Sequence, residues 1–398
     1  MRTTIPPVIL LTMLSLPCAA QTPLAVEWNA RLRHESVSDD AFARDAQATT
    51  LRVRAGLRWT ATPHLTAFVE GEAVGAAIDD YNAGTGAHND RPAVGDPESA
   101  EINQAWLRWR NGTVEATAGR QRLAFDNQRW LGNVGWRQNE QTFDAVSLQW
   151  QPSTSTTLRY VWLDRAHRVA SDRAVDPLAR ERRLDGHALN AAWTRGPHRL
   201  GGYAYLIEDE DVAAASTRTV GARYALASAA GTRPFGATLE WARQRDHAAN
   251  PLRFSHAYWL VEPAWATRYA TLRAGWEHLG GNGRHALQTP LATLHTFNGW
   301  ADKFTLTPAA GLEDRYLAAT GNLARARAQG PLEWTVAWHA YRADVGGARY
   351  GREWNASLGL PFGPRWRALA KVADYRAATY ARDTTKLWLQ LEWASPAK

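Results

Sequence analysis

Residues 51–59 read Leu51-Arg52-Val53-Arg54-Ala55-Gly56-Leu57-Arg58-Trp59, apolar at every odd position and Arg or Gly at every even one. Side chains of an extended chain point alternately to opposite faces, so this segment is a strand with one face in an apolar medium and the other in a polar space. The same period of two returns over 65–74, where Glu70 and Glu72 share the polar face, and again over 332–340 and 387–393. Further candidate strands lie near 25–33, 103–110, 113–121, 143–150, 157–164, 186–193, 198–207, 217–225, 235–244, 255–264, 269–278, 312–321, 351–359 and 366–375. The total is eighteen, and no internal repeat or linker divides them.

The spacing of the connections constrains the architecture independently. With the amino end on the periplasmic side, long and short connections alternate: about fifteen residues follow the first strand, then 60–64; 76–100, then 111–112; 123–142 against 151–156; 165–185 against 194–197; and 280–311 against a shorter turn ending at Gly330. Bacterial outer-membrane barrels have this rhythm of long outer loops and short periplasmic turns. The expected fold is therefore all-β, a transmembrane antiparallel up-and-down barrel of about eighteen strands, wide enough to hold an aqueous lumen.

The first residues agree with that destination. Arg2 precedes an apolar run from Ile5 to Leu16, and Cys18-Ala19-Ala20 stands before Gln21. This is the pattern of a signal peptide cut after Ala20, leaving 21–398 as one barrel domain in the bacterial outer membrane. Pro17 stands where a lipoprotein signal wants a small residue, which argues against lipidation of Cys18. That cysteine is the only one and leaves with the leader, so disulfide-stapled folds and Cys-based chemistry are excluded. No other run of eighteen apolar residues exists, so no membrane-spanning helix is expected. The 20 tryptophans suit interfacial girdles, and the basic complement is almost all arginine, with lysine only at 303, 371, 386 and 398.

Two long strings carry a family resemblance. One comprises Gly119-Arg120-Gln121-Arg122-Leu123, Asp126-Asn127-Gln128-Arg129 and Gly132 through Asp144; the other comprises Thr289 through His295, Phe297 through Phe304 and Gly311 through Tyr316. In these the chain resembles the alginate export family of outer-membrane barrels, with weaker similarity over nearly all of the mature chain. The resemblance implies an eighteen-stranded, monomeric barrel and, in its best-known member, passage of the polyanion alginate through an arginine-rich pore.

Alternation sorts the charges by face. Arg31, Arg33, Arg52, Arg54, Arg58, Arg108 and Arg110 are expected in the lumen with Glu70 and Glu72, and the third outer loop adds Arg120, Arg122, Arg129 and Arg137. On later strands Glu240, Glu262, Glu277, Glu333, Glu353 and Glu392 take the polar face, which sets an acidic wall against a basic one. Arginine forks bind carboxylates bidentately, so the basic patch points to carboxylated saccharides. An acidic wall suits a general diffusion porin for small polar solutes equally, and a structural barrel with a plugged bore is a third possibility. Trp106 and Trp388 also fall on the lumen face, where rings either stack on sugars or pack beneath a loop. The 294–303 string is too apolar for free solution and is expected against the rim or in the bore.

An enzyme is the contrasting class. Outer-membrane phospholipases carry His-x-Ser-Asn-Gly, but here the string is His295-Thr296-Phe297-Asn298-Gly299, with phenylalanine in the nucleophile's place. Metal clusters, phosphate loops and dinucleotide fingerprints are lacking, so no enzyme activity and no cofactor are expected. Expected partners are outer-membrane lipid and lipopolysaccharide, an anionic saccharide substrate and the barrel-assembly machinery. The net charge of +7 is spread over strands behind a signal peptide and does not point to nucleic acid.

Overall fold

In the computed structural model, residues 24–324 and 330–395 are described. The leader expected over 1–20, the last residues of the tail and part of the turn ending at Gly330 lie outside them. Eighteen antiparallel strands form one closed sheet: β1 (Leu24–Asp39), β2 (Ala46–Thr62), β3 (Leu65–Asp80), β4 (Ser99–Asn111), β5 (Val114–Gln121), β6 (Thr142–Ser153), β7 (Thr156–His167), β8 (Glu181–Arg195), β9 (His198–Asp209), β10 (Thr217–Leu226), β11 (Phe235–Asp246), β12 (Ser255–Ala266), β13 (Thr271–Leu279), β14 (Leu312–Leu323), β15 (Leu332–Arg342), β16 (Arg349–Phe362), β17 (Trp366–Ala377) and β18 (Thr384–Ala394). Each strand pairs with its sequence neighbours, and β1 closes the ring on β18 in a register running from Asn29 opposite Ala394 to Asp39 opposite Thr384. Closure leaves no edge, as backbone polar groups in hydrocarbon require.

Every expected strand is present, and the alternation sets its orientation. Along β2, Leu51, Val53 and Leu57 face out while Thr50, Arg52 and Arg54 are buried inside. Trp59, Trp109, Trp150, Trp193, Trp265 and Trp366 are exposed on the outward face near the periplasmic ends of their strands, forming one girdle. Periplasmic turns are as short as 112–113 and 196–197, where Gly112 and Gly196 adopt positive φ. The first outer connection is 40–45, shorter than expected, because β1 continues through Glu35 and Val37 to Asp39. Period-two pairing persists there beyond the apolar stretch that marked the strand.

Candidate functional site

Two outer loops turn inward and narrow the bore. The loop between β5 and β6, 122–141, turns inward onto β1 and β2, whose arginines meet its backbone rather than open water. Arg31 donates to the carbonyls of Gly135, Trp136 and Arg137 at 3.1 to 3.2 Å. Arg33 donates to the Trp136 carbonyl, while Arg52 and Arg54 reach that of Gln138. Such carbonyls inside a barrel have lost water, so charged donors satisfy them at least cost. Carboxylates finish the neutralisation: Glu392 pairs with Arg31, Asp96 with Arg33, and Glu72 and Glu140 with Arg54. Burial raises the Glu140 carboxyl, but Arg54 and Arg122 more than offset this and hold it below its ordinary range. The basic wall is thus largely discharged against the loop and these acids.

Between β13 and β14 the 280–311 loop also enters the bore, and the acidic wall receives it. Glu353, wholly buried, accepts the Ala301 amide at 2.9 Å; Asn298 donates to Glu277 at 2.7 Å and to Asp314 at 3.1 Å. Gly299 adopts φ +83° against this wall, where an added Cβ would strike the Tyr341 hydroxyl and the Glu353 carboxylate. The two loops are joined to each other: the Gly132 amide donates to the Leu291 carbonyl at 2.9 Å, and the Thr293 amide donates to that of Gln128 at 3.0 Å. Arg129, 1% exposed, leaves the first loop to pair with Glu277 at 3.0 Å and reaches Asn298 of the second.

A knot of aromatic and charged groups completes the constriction. Trp136 stacks on His295 with centroids 4.6 Å apart, carries the Arg33 guanidinium at 4.1 Å and lies edge-on to buried Trp388. His295 faces Asp302 through Nδ1 at 2.7 Å, and its Nε2 accepts from Nζ of Lys371 at 2.7 Å. With Nε2 accepting, the ring is neutral; burial pushes it down to about 3, against the pull of Asp302. Asp302 is also buried, yet His295, Lys386 and Arg137 hold it well below the usual carboxylate range. Outside this knot, a cavity of about 410 Å³ opens on the outer side, bordered by Arg137, Arg168, Lys303 and Lys386 with Asp39 and Asp302.

The charges expected in the lumen fall into three groups. Arg52, Arg54, Glu70, Glu72, Arg122, Arg129, Arg137, Glu240 and Glu353 lie at the constriction, bonded to loops or to one another. Arg58, Arg108, Arg110, Glu262 and Glu333 lie on the inward phase of the periplasmic half, where Arg58 meets Glu27, Arg108 and Arg110 meet Glu115, Glu262 meets Arg273 and Glu333 meets Arg367. Arg120 departs from the expectation. It is a residue of β5 rather than of the loop, in register with Asp144, on the outward face that carries Val146, Leu148 and Trp150.

Trp388 proves to be packing under the loops, and Trp106 lies among Phe68, Arg58 and Arg108. Asn298 and His295, from the string compared with the phospholipase motif, bond to wall residues of the bore. Lys371, Lys303, Lys386 and Arg168 were not among the candidate lumen residues read from the sequence. Three of them are, with Lys398, the only lysines of the sequence, a rarity that could have flagged them.

A closed barrel with a lipid-facing apolar belt and a charged bore narrowed by inward loops is an outer-membrane porin-type channel. The sequence model of the alginate export family, described as "Alginate export", matches residues 22–230, over half of the chain. The protein belongs to that family. Among solved structures it is similar to OccK9 (OpdG) of Pseudomonas aeruginosa, with a TM-score of 0.72 at 14% identity, covering 94% of this chain and 98% of that one. OpdK of the same organism, crystallised with vanillate, gives 0.69 at 15% identity over 93% of this chain and 98% of that one. OccAB2 of Acinetobacter baumannii gives 0.70 at 15%, covering 94% and 98%. At such identities the likeness is one of fold. No curated protein sequence matches the chain.

Proposed function

We propose that the protein is a passive outer-membrane channel for small carboxylated solutes, saccharide acids foremost. The observation that carries this reading is the outer cavity, whose lining holds Arg137, Arg168, Lys303 and Lys386 against two carboxylates, Asp39 and Asp302, with Glu35 behind it pairing with Arg137 at 3.1 Å and with His295 neutral. A surplus of cations in a concave, partly dehydrated mouth concentrates anions, and guanidinium forks orient a carboxylate. Its volume of about 410 Å³ suits a small molecule, within the few hundred Å³ of ordinary ligand sites. A stretched polyanion fits less well, because the two loops that narrow the bore are bonded to each other and to both walls. The vanillate bound by OpdK is itself a small carboxylate, which agrees with this size class.

A diffusion porin without solute preference is the second reading, favoured by the near balance of the periplasmic half, where Arg58 pairs with Glu27 and Arg367 with Glu333. Reversal potentials in planar bilayers under a salt gradient, with proteoliposome uptake of galacturonate and galactose, separate the two. The proposal expects anion preference and faster galacturonate entry, both lost in the R168Q/K303Q double variant. Cation preference, or equal uptake of the two sugars, would overturn it.

A further inference from the structure

We propose that Arg218, Arg243 and Arg245, on the outward face of β10 and β11 at the outer rim, hold the phosphate groups of an anionic glycolipid of the outer leaflet. β10 begins at Thr217 after the outer 210–216 connection, and β11 ends at Asp246 before the outer 247–254 connection. Arg218 stands directly opposite Arg245, and Val220 opposite Arg243, so three exposed guanidinium groups gather on two adjacent strands. Like charges directly across a sheet repel and destabilise it. Among the described residues, none of the three has a carboxylate within 4.0 Å.

The contrast with Arg376 is direct, since that outer-rim arginine is answered by Asp374 and Asp383. Glu208 on β9 shares the outward phase with the trio but makes no ion pair with it, and Asp246 is taken by Arg253. One hydroxyl orients two of the three: Ser255 Oγ accepts from Nε of Arg243 at 2.7 Å and from Nε of Arg245 at 3.2 Å. This spends one N–H of each fork. The terminal nitrogens, the donors suited to a phosphate, have no hydrogen-bond partner among the described residues.

Depth selects the ligand. Below the arginines on the same face is Trp241, 54% exposed, followed by Leu239, while Trp259 and Trp276 meet edge to face at 4.5 Å on the neighbouring strands. Amphipathic tryptophans gather where headgroups meet hydrocarbon, and Trp241 stands five residues before Asp246, the outer end of β11. The arginines therefore sit at headgroup level, above a surface suited to acyl chains, and line an open groove of about 540 Å³ with Val220 and Trp241. A ligand with phosphate above and hydrocarbon below matches both layers, whereas a soluble phosphate uses only the first.

Native mass spectrometry of the detergent-solubilised full chain tests this, with bisphosphorylated lipid A, its dephosphorylated analogue and inorganic phosphate as probes. The wild type is expected to retain lipid A at least about tenfold more tightly than the analogue. That margin should vanish in R218Q/R243Q/R245Q and survive in R376Q. Should the triple variant fail to show the heat-modifiable mobility of a folded barrel, R245Q alone is expected to lose severalfold and the triple Arg-to-Lys variant to keep part of the margin. Equal retention by wild type and the glutamine variant, equal binding of the dephosphorylated analogue, or displacement of lipid A by equimolar inorganic phosphate would overturn the proposal.

Discussion

Arg129 shows how a single side chain sets the shape of this bore. It starts in one loop, crosses to Glu277 on β13 and to Asn298 in the other loop, and lies over the Phe297 ring at 4.6 Å. Removing one member of a buried pair leaves the other charge unanswered and costs about 3–5 kcal/mol. Arg129→Ala is therefore expected to loosen 289–304 without unfolding the strands, whose ladder does not include it. Hydrogen exchange should rise across 289–304 and stay unchanged in β13; unchanged exchange in the loop would refute the coupling. At this scale the sequence told its story unevenly. Arg129 was legible as a lumen charge because loop and barrel meet there, but Glu277 is remote in the chain and no local pattern names it as partner. Arg120 went the other way, since strand phase alone, counted from Val114, Ala116 and Ala118, puts it outside.

Among elements, the strands were readable throughout and the loops only in part. Alternation survives any sequence detail that keeps one face in lipid, so all eighteen strands could be counted, and errors fell at outer ends such as Glu35 to Asp39. Apolar composition foretold that 294–303 leaves the solvent. Its destination depended on matching Ala301 with Glu353, Asn298 with Glu277 and His295 with Lys371 across separate parts of the chain, which periodicity does not encode. The charges sorted by face gave a basic wall and an acidic one; the fold adds that each wall is answered by a loop. If the loop pair is what narrows the bore, replacing 289–304 by a flexible Gly-Ser segment should raise single-channel conductance severalfold and reduce discrimination between galacturonate and galactose. Wild-type conductance in that variant would show that the strands themselves set the limit.

For the whole molecule, the barrel and its internal loops are expected to answer acid differently. The closed ladder of backbone hydrogen bonds from β1 round to β18 contains no titrating group, so its integrity should persist at mild acidity. The loop knot does titrate. His295 is depressed to about 3 in place, so on undocking it takes up a proton at any pH between that value and about 6.5. Docking strength from this group is therefore complete above about 6.5 and falls steadily as pH drops through that window. Asp302 and Glu140 are also depressed, and their contribution, full above the ordinary carboxylate range, is lost only at lower pH still. All three act in one direction, and none loosens the knot on alkalinisation. Single-channel records should thus be alike at pH 8 and 7 and show growing open-state fluctuation from pH 6.5 to 4.5, reversible on return, with the heat-modifiable mobility of the folded barrel retained. In His295→Gln, which is uncharged at every pH, the change between 6.5 and 4.5 should largely disappear. A bore that fluctuates equally at pH 7 and 4.5, or one that quietens in acid, would sink the assignment of this knot as the pH-sensitive latch.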